Sequence, residues 1–132
     1  MKLDSLKQGL LFGADRMLPD FLRADDVCYT VHKEIAPRIL ISDFADMYSE
    51  EGRPPVSPKI MVLILILQYL ERLSDRAAAH NLRYRLDWKI ALGLETDFKG
   101  IHPTTLVYFR DRLLANDRAS YAFICIIAHL NL

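Results

Sequence analysis

The chain has almost none of the residues from which metal sites and disulfides are built. It holds two cysteines, Cys28 and Cys125, which lie far apart and have no neighbours at a spacing typical of zinc ligands. Its 4 histidines are scattered along the sequence. We therefore expect neither a metal nor a cofactor, and two buried thiols in a reducing compartment.

Motifs that carry group-transfer chemistry are also missing. The sequence has no glycine-rich phosphate loop, no serine flanked by glycines, and no histidine pair four residues apart with an acidic neighbour. Its 17 aspartates and glutamates include no isolated pair in apolar surroundings of the kind that acid–base catalysis uses. The sequence thus predicts a protein that is not an enzyme and has no small-molecule substrate.

Neither a secretion signal nor a membrane span is present in the sequence. The first 13 residues carry Lys2, Asp4 and Lys7 without an apolar stretch of signal-peptide length. The apolar run at residues 60–67 is far shorter than the roughly 20 residues needed to cross a bilayer. We expect a cytoplasmic protein without a membrane partner.

What the sequence does contain is a strong helix signal at its centre. Ser57 is a suitable N-cap and Pro58 fits the first helical position, so a helix is predicted over about 58–73. Because residues 60–67 are all apolar, this helix must be enclosed on every side by the rest of the molecule. At 132 residues the chain is long enough for one domain with its own core, and we treat 1–132 as a single helical domain.

Three further helices are predicted after the central one. Ser74 is a second N-cap, for a helix over 75–85, and Asp87 is a third, for a short helix that Gly93 ends. A helix over 103–115 follows, capped by His102 or Thr104. No alternating polar and apolar run competes with these helices, so the fold class is all-α, a compact multi-helix bundle with a helix-turn-helix-like second half.

The charges are distributed unevenly along a chain whose net charge is zero. Residues 1–51 carry 6 basic and 10 acidic residues, whereas residues 72–132 carry 9 basic and 6 acidic ones. The first half is interpreted as packing scaffold, with Asp25 and Asp26 at a helix start and with Val31 and Ile35 on one or two short helices. A surface that faces phosphates is therefore expected in the second half.

The outer face of the 103–115 helix carries polar side chains suited to DNA. In a helix-turn-helix protein the second helix enters the major groove, and neighbouring basic residues contact phosphates. By the helical wheel Leu106 and Leu113 face the core, and Arg110 lies at the edge of their stripe, bonded to a carboxylate such as Asp75 or Asp111. The candidate DNA contacts are Arg76, Arg83, Arg85, Lys89, Lys99, Thr104, Thr105, Tyr108 and Arg112.

Several motifs with fixed gaps carry a family resemblance. The sequence contains, in order, EGRPPVSP at 51–58, LSDRAA at 73–78, LDWKIALGL at 86–94, HPTTL at 102–106 and FRDRL at 109–113. Together they resemble the N-terminal domain of bacterial insertion-sequence transposases with a DDE catalytic domain, over about residues 15–118. The catalytic domain of such transposases, which carries three metal-binding acidic residues, has no counterpart in this sequence.

The resemblance implies a role in DNA transposition. Such domains are thought to recognise the terminal inverted repeats of the mobile element, so the implied partner is double-stranded DNA at the bacterial nucleoid. The alternative is a module that dimerises the transposase or packs against its catalytic domain. Zero net charge and the apolar segment 121–132 favour that alternative.

Overall fold

This computed structural model describes residues 22–39 and 56–116 of the chain. Predictions that concern other residues, including Cys125 and the apolar segment 121–132, lie outside this description. None of the described residues lies in a strand, which confirms the all-α prediction. The α-helices of the described residues are α1 (Val27–Thr30), α2 (Pro58–Glu71), α3 (Asp75–Tyr84), α4 (Leu86–Leu92) and α5 (Pro103–Ala115).

The first described stretch is a helical segment of changing pitch. The Asp26 side chain caps α1 by accepting a hydrogen bond from the Cys28 backbone N–H, so the predicted helix start is confirmed. A π-helical turn over Val31–Ile35 and a 3-10 turn over Ala36–Arg38 continue the segment. Val31 and Ile35, the two ends of the π-helical turn, are both buried and pack this segment against the rest of the core.

Helix α2 begins where the sequence predicts. The Ser57 hydroxyl accepts a hydrogen bond of 3.3 Å from the Ile60 N–H, and Pro58 occupies the first turn. The helix ends at Glu71, two residues before the predicted end, because Arg72 adopts a left-handed conformation with φ 57°. None of the described helices is both long and apolar enough to cross a membrane.

The apolar run of α2 is enclosed, as predicted. α3, α4 and α5 all contact this helix, α3 also packs along α5, and the N-terminal helical segment covers α4. Every side chain on α2 from Met61 to Leu67 is buried except Leu65, which is partly buried against the same core. The other large, fully buried side chains among the described residues come from the elements around α2, and they are Ile35, Ile39, Leu82, Trp88, Ile90, Leu106 and Phe109.

The ends of the shorter helices follow the predicted signals with one exception. The Ser74 hydroxyl caps α3, Gly93 ends α4 with φ 68°, and His102 rather than Thr104 caps α5 through its ring Nδ1. The prediction of Asp87 as the cap of α4 is wrong. Arg85 occupies the N-cap position without a side-chain cap, because α4 already begins at Leu86 and Asp87 lies within its first turn. The Asp87 carboxylate accepts hydrogen bonds from the Arg85 guanidinium and from the Trp88 backbone N–H.

An ion pair links α3 to α5 next to the end of α2. Both terminal nitrogens of Arg110 donate to the Asp75 carboxylate at 2.8–3.0 Å, which confirms the predicted structural role of this arginine. The Gln68 amide of α2 donates to the same carboxylate at 2.8 Å. Asp75 therefore holds three helices together at one point.

We expect Arg110→Ala to lower the free energy of unfolding by about 1–2 kcal/mol, because it leaves a partly buried carboxylate without its main partner. Urea denaturation at neutral pH measures this. The hydrogen bond from Arg110 lowers the pKa of Asp75. Stability from the pair is therefore fully present above the ordinary pKa of an aspartate and is lost as the pH falls through the lowered value.

The control for this prediction is Arg76→Ala, which removes an exposed arginine next to Asp75 in the sequence. We expect it to change stability by less than about 0.5 kcal/mol. Equal losses for the two variants, or an Arg110→Ala loss that does not shrink in acid, would contradict the structural role of the ion pair.

Candidate nucleic-acid interface

The outer face of α5 divides into an exposed row and a half-buried one. Thr104 is exposed and Tyr108 is 70% exposed, whereas Thr105 and Arg112 are partly buried. The Thr104 hydroxyl lies 2.8 Å from the capping Nδ1 of His102, which fixes this side chain at the start of the helix. The side of α5 opposite the core thus presents hydroxyl and phenol groups at its N-terminal half.

Helix α3 exposes a basic and aromatic face. Arg76, His80 and Arg83 are exposed, and Tyr84 is 66% exposed at the end of the helix. The rings of His80 and Tyr84 have centroids 4.6 Å apart, and the Arg83 guanidinium carbon lies 5.6 Å from the Tyr84 centroid. Although Arg83 lies beside the Tyr84 ring, its charged group remains exposed to solvent.

The loop after α4 lies against the same end of α3. Gly100 has φ 93°, and a Cβ atom on it would lie 3.3 Å from the Arg83 Cβ and 3.7 Å from the Ala79 carbonyl oxygen. A residue with a side chain is disfavoured at this φ and would also crowd α3. Because Lys99 precedes Gly100, the loop carries this exposed lysine to the neighbourhood of Arg83.

Two of the candidate DNA contacts are bonded to other residues of the fold. Lys89 is only 5% exposed, and its ammonium donates to the Thr96 carbonyl at 2.7 Å. Burial lowers the pKa of this lysine. Arg85 forms ion pairs with both Glu71 and Asp87. Their charges are engaged by these partners, so neither residue belongs to the candidate interface.

Sequence reasoning missed the network that holds Arg85. The Trp88 indole N–H donates at 2.9 Å to the same Glu71 carboxylate that pairs with Arg85, and Trp88 itself is fully buried. The hydrogen bonds that Arg85 donates to Asp87 and Glu71 raise the pKa of Arg85. A signal did exist, since a buried tryptophan needs an acceptor and Glu71 is the one acidic residue between positions 52 and 71.

One cluster of described residues brings potential metal ligands together. Ligand atoms of Asp26, Cys28 and Asp87 lie within 4.8 Å of one another, where the N-terminal helical segment meets α4. Burial, followed by the nearby carboxylates, raises the pKa of the Cys28 thiol, so the thiolate that a metal would need is disfavoured. The Asp87 oxygens already accept from Arg85 and from the Trp88 N–H. This donor set fits a hydrogen-bonded packing contact better than a metal site.

Seven of the nine candidate residues remain on α3, on the loop before α5 or on α5. Arginine and lysine suit phosphate oxygens, whereas hydroxyl, phenol and guanidinium groups on an exposed helix face suit base edges. The arrangement therefore offers side chains of the types that phosphate and base contacts use. The seven are Arg76, Arg83, Lys99, Thr104, Thr105, Tyr108 and Arg112.

Comparison with known proteins agrees with the transposase resemblance at the level of the family. No curated protein and no solved structure matches the chain. The family of the transposase domain DUF772 matches residues 16–112, which include α1 to α4 and most of α5. Since the match covers well over half of the sequence, the chain belongs to the DUF772 transposase domain family.

Proposed function

We propose that this domain binds double-stranded DNA for a transposase and recognises the terminal inverted repeats of its element. The observation that carries the proposal is the exposed face of α5, with Thr104 and Tyr108, beside the exposed cations of the packed helix α3. Membership of a transposase domain family supplies the biological setting. We further propose that it is the non-catalytic N-terminal part of a DDE-type enzyme.

The proposal assigns different tasks to the two helices. α5 would enter the major groove, where hydroxyl and phenol groups can bond or contact base edges. α3 packs along α5, so its exposed Arg76 and Arg83 would lie over the flanking backbone. This is the division of labour of a helix-turn-helix, with α4 and its following loop in place of a short turn.

A protein–protein module is the second candidate, and exposed apolar side chains favour it. Tyr69 is 59% exposed on α2, and Leu114 is 62% exposed near the end of α5. Such side chains can contribute to a homodimer or to contact with a catalytic domain. A gel-shift titration against inverted-repeat and scrambled duplexes separates the two, since a purely protein-binding module would retard neither.

Binding should weaken steeply with salt, because phosphate contacts release counterions. If three or four of Arg76, Arg83, Lys99 and Arg112 meet phosphates, the slope of log K against log salt is about −3 to −4. Fluorescence anisotropy of a labelled repeat duplex across a salt series measures the slope. Binding that is insensitive to salt would contradict a phosphate-based interface.

Sequence discrimination should depend on α5. We expect Tyr108→Ala to reduce the preference for the repeat over a scrambled duplex by about 5- to 150-fold, because one good base contact contributes about 1–3 kcal/mol. Non-specific binding should change little. Lys33→Ala is the control. Lys33 is exposed on the N-terminal helical segment, which packs against α4 and contributes no residue to the proposed interface. An unchanged preference for the repeat in Tyr108→Ala would remove α5 from recognition.

The domain should bind DNA without cutting it. Metal-assisted strand cleavage needs carboxylates that are available to hold divalent ions. Glu71, Asp75 and Asp87 are instead bonded to arginine or tryptophan side chains. A labelled repeat duplex incubated with magnesium or manganese should stay intact. Metal-dependent nicking that disappears on Asp111→Asn, an exposed carboxylate, would overturn the non-catalytic assignment.

A further inference from the structure

The loop between α4 and α5 is fastened to the fold on two sides. On one side the Lys89 ammonium donates to the Thr96 carbonyl at 2.7 Å, and the Lys89 carbonyl accepts from the Leu94 N–H at 2.9 Å. On the other side Gly100 lies against the Cβ of Arg83 on α3. The position of Lys99 is therefore set by contacts that lie both before and after it in the chain.

These contacts gather positive charge at one end of α3. Arg83 and Lys99 are exposed, and Lys89 lies buried between α4 and the loop. Burial is the main cause of the lowered pKa of Lys89, and the positive charges of Arg83 and Lys99 lower it further, whereas Asp97 opposes them. Three cations and one carboxylate thus share one neighbourhood, and neither Arg83 nor Lys99 forms an ion pair with a described residue.

We propose that Arg83 and Lys99 form a clamp that binds one phosphodiester group of the DNA backbone, with Lys89 as the residue that positions the loop. The inference rests on the proposed DNA-binding function and gives it a specific backbone contact. Gly100 holds the backbone next to Lys99 against Arg83. Two cations at the same end of α3 repel each other, and an anion bound between them relieves that repulsion. A planar guanidinium and a flexible ammonium can bond different oxygens of the same phosphate.

The role of Lys89 follows from the group to which its ammonium donates a hydrogen bond. Its ammonium is satisfied by a backbone carbonyl rather than by a carboxylate, so it fixes the loop while keeping the local charge positive. Asp97 is exposed in the same loop and would repel an approaching phosphate. If Arg83, Lys99 and Lys89 had only a structural role, removing the Asp97 charge would not tighten DNA binding. The effect of Asp97 on binding therefore tests the clamp.

The salt slope of duplex binding tests whether the two cations share a phosphate. If they do, Arg83→Ala and Lys99→Ala each weaken binding about 3- to 10-fold but leave the slope nearly unchanged, since the remaining cation still neutralises the phosphate. The double variant should make the slope less negative by about one. The shared site would be overturned if each single variant made the slope less negative by about one and the double variant by about two.

Two further variants test the surroundings of the clamp. Asp97→Asn should tighten binding by about 2- to 3-fold, because it removes a repulsive charge. Lys89→Met should weaken binding in the otherwise unchanged chain but not in the Arg83→Ala, Lys99→Ala background. Equal weakening in both backgrounds would show that Lys89 acts on the fold in general and would exclude its positioning role. Weaker or unchanged binding by Asp97→Asn would contradict an anion site.

Pyrophosphate separates failure of the clamp from failure of the DNA-binding proposal. In the DNA-free protein, pyrophosphate should shift the NMR signal of the Arg83 Nε–H group, and Lys99→Ala should abolish the shift. If this holds while no duplex binds, the clamp stands and the proposed function is wrong. If duplex binds but pyrophosphate leaves the Arg83 signal unmoved, the clamp is wrong and DNA binding stands.

Discussion

Enclosure of the apolar helix α2 is the constraint on which the rest of the structure depends. A helix with buried side chains on every face cannot lie at a surface, so other elements must surround it. α3, α4 and α5 each bring an apolar side to it; α3 and α5 leave the opposite side in solvent, whereas the N-terminal helical segment covers α4. The exposed faces of α3 and α5 are therefore fixed in direction by the requirement to cover α2.

Packing around α2 also decides which charges are available to a partner. Glu71 ends the helix close to the buried indole of Trp88, and its carboxylate takes up both that N–H and the Arg85 guanidinium. Asp75 pairs with Arg110 in the same way on the other side of the α2–α3 connection. Polar groups drawn into the interior need such partners. The cations left in solvent lie on the outer sides of the helices.

Helix boundaries were predictable because their signals are local. The hydroxyls of Ser57 and Ser74 and the left-handed Gly93 act within one turn of the chain, so each could be read without knowledge of the fold. The bonds that Lys89 and Arg85 form within the fold were not predictable in this way. They depend on Thr96 and Glu71, which come close only when α4 and its following loop are packed.

The same distinction explains why a chain of zero net charge can present a basic surface. Asp75 and Asp87 are bonded to Arg110 and Arg85 within the fold, which engages equal numbers of acidic and basic charges and leaves the local balance to the exposed residues. The charges that a partner would meet are then set by the loop that Gly100 holds against α3, since this loop carries Lys99 to Arg83. A sum over the sequence weights buried and exposed charges equally, whereas the field at a surface depends on the exposed ones and their spacing. The decisive residue for this surface is thus an uncharged glycine, because its positive φ and missing side chain allow the loop to approach the helix.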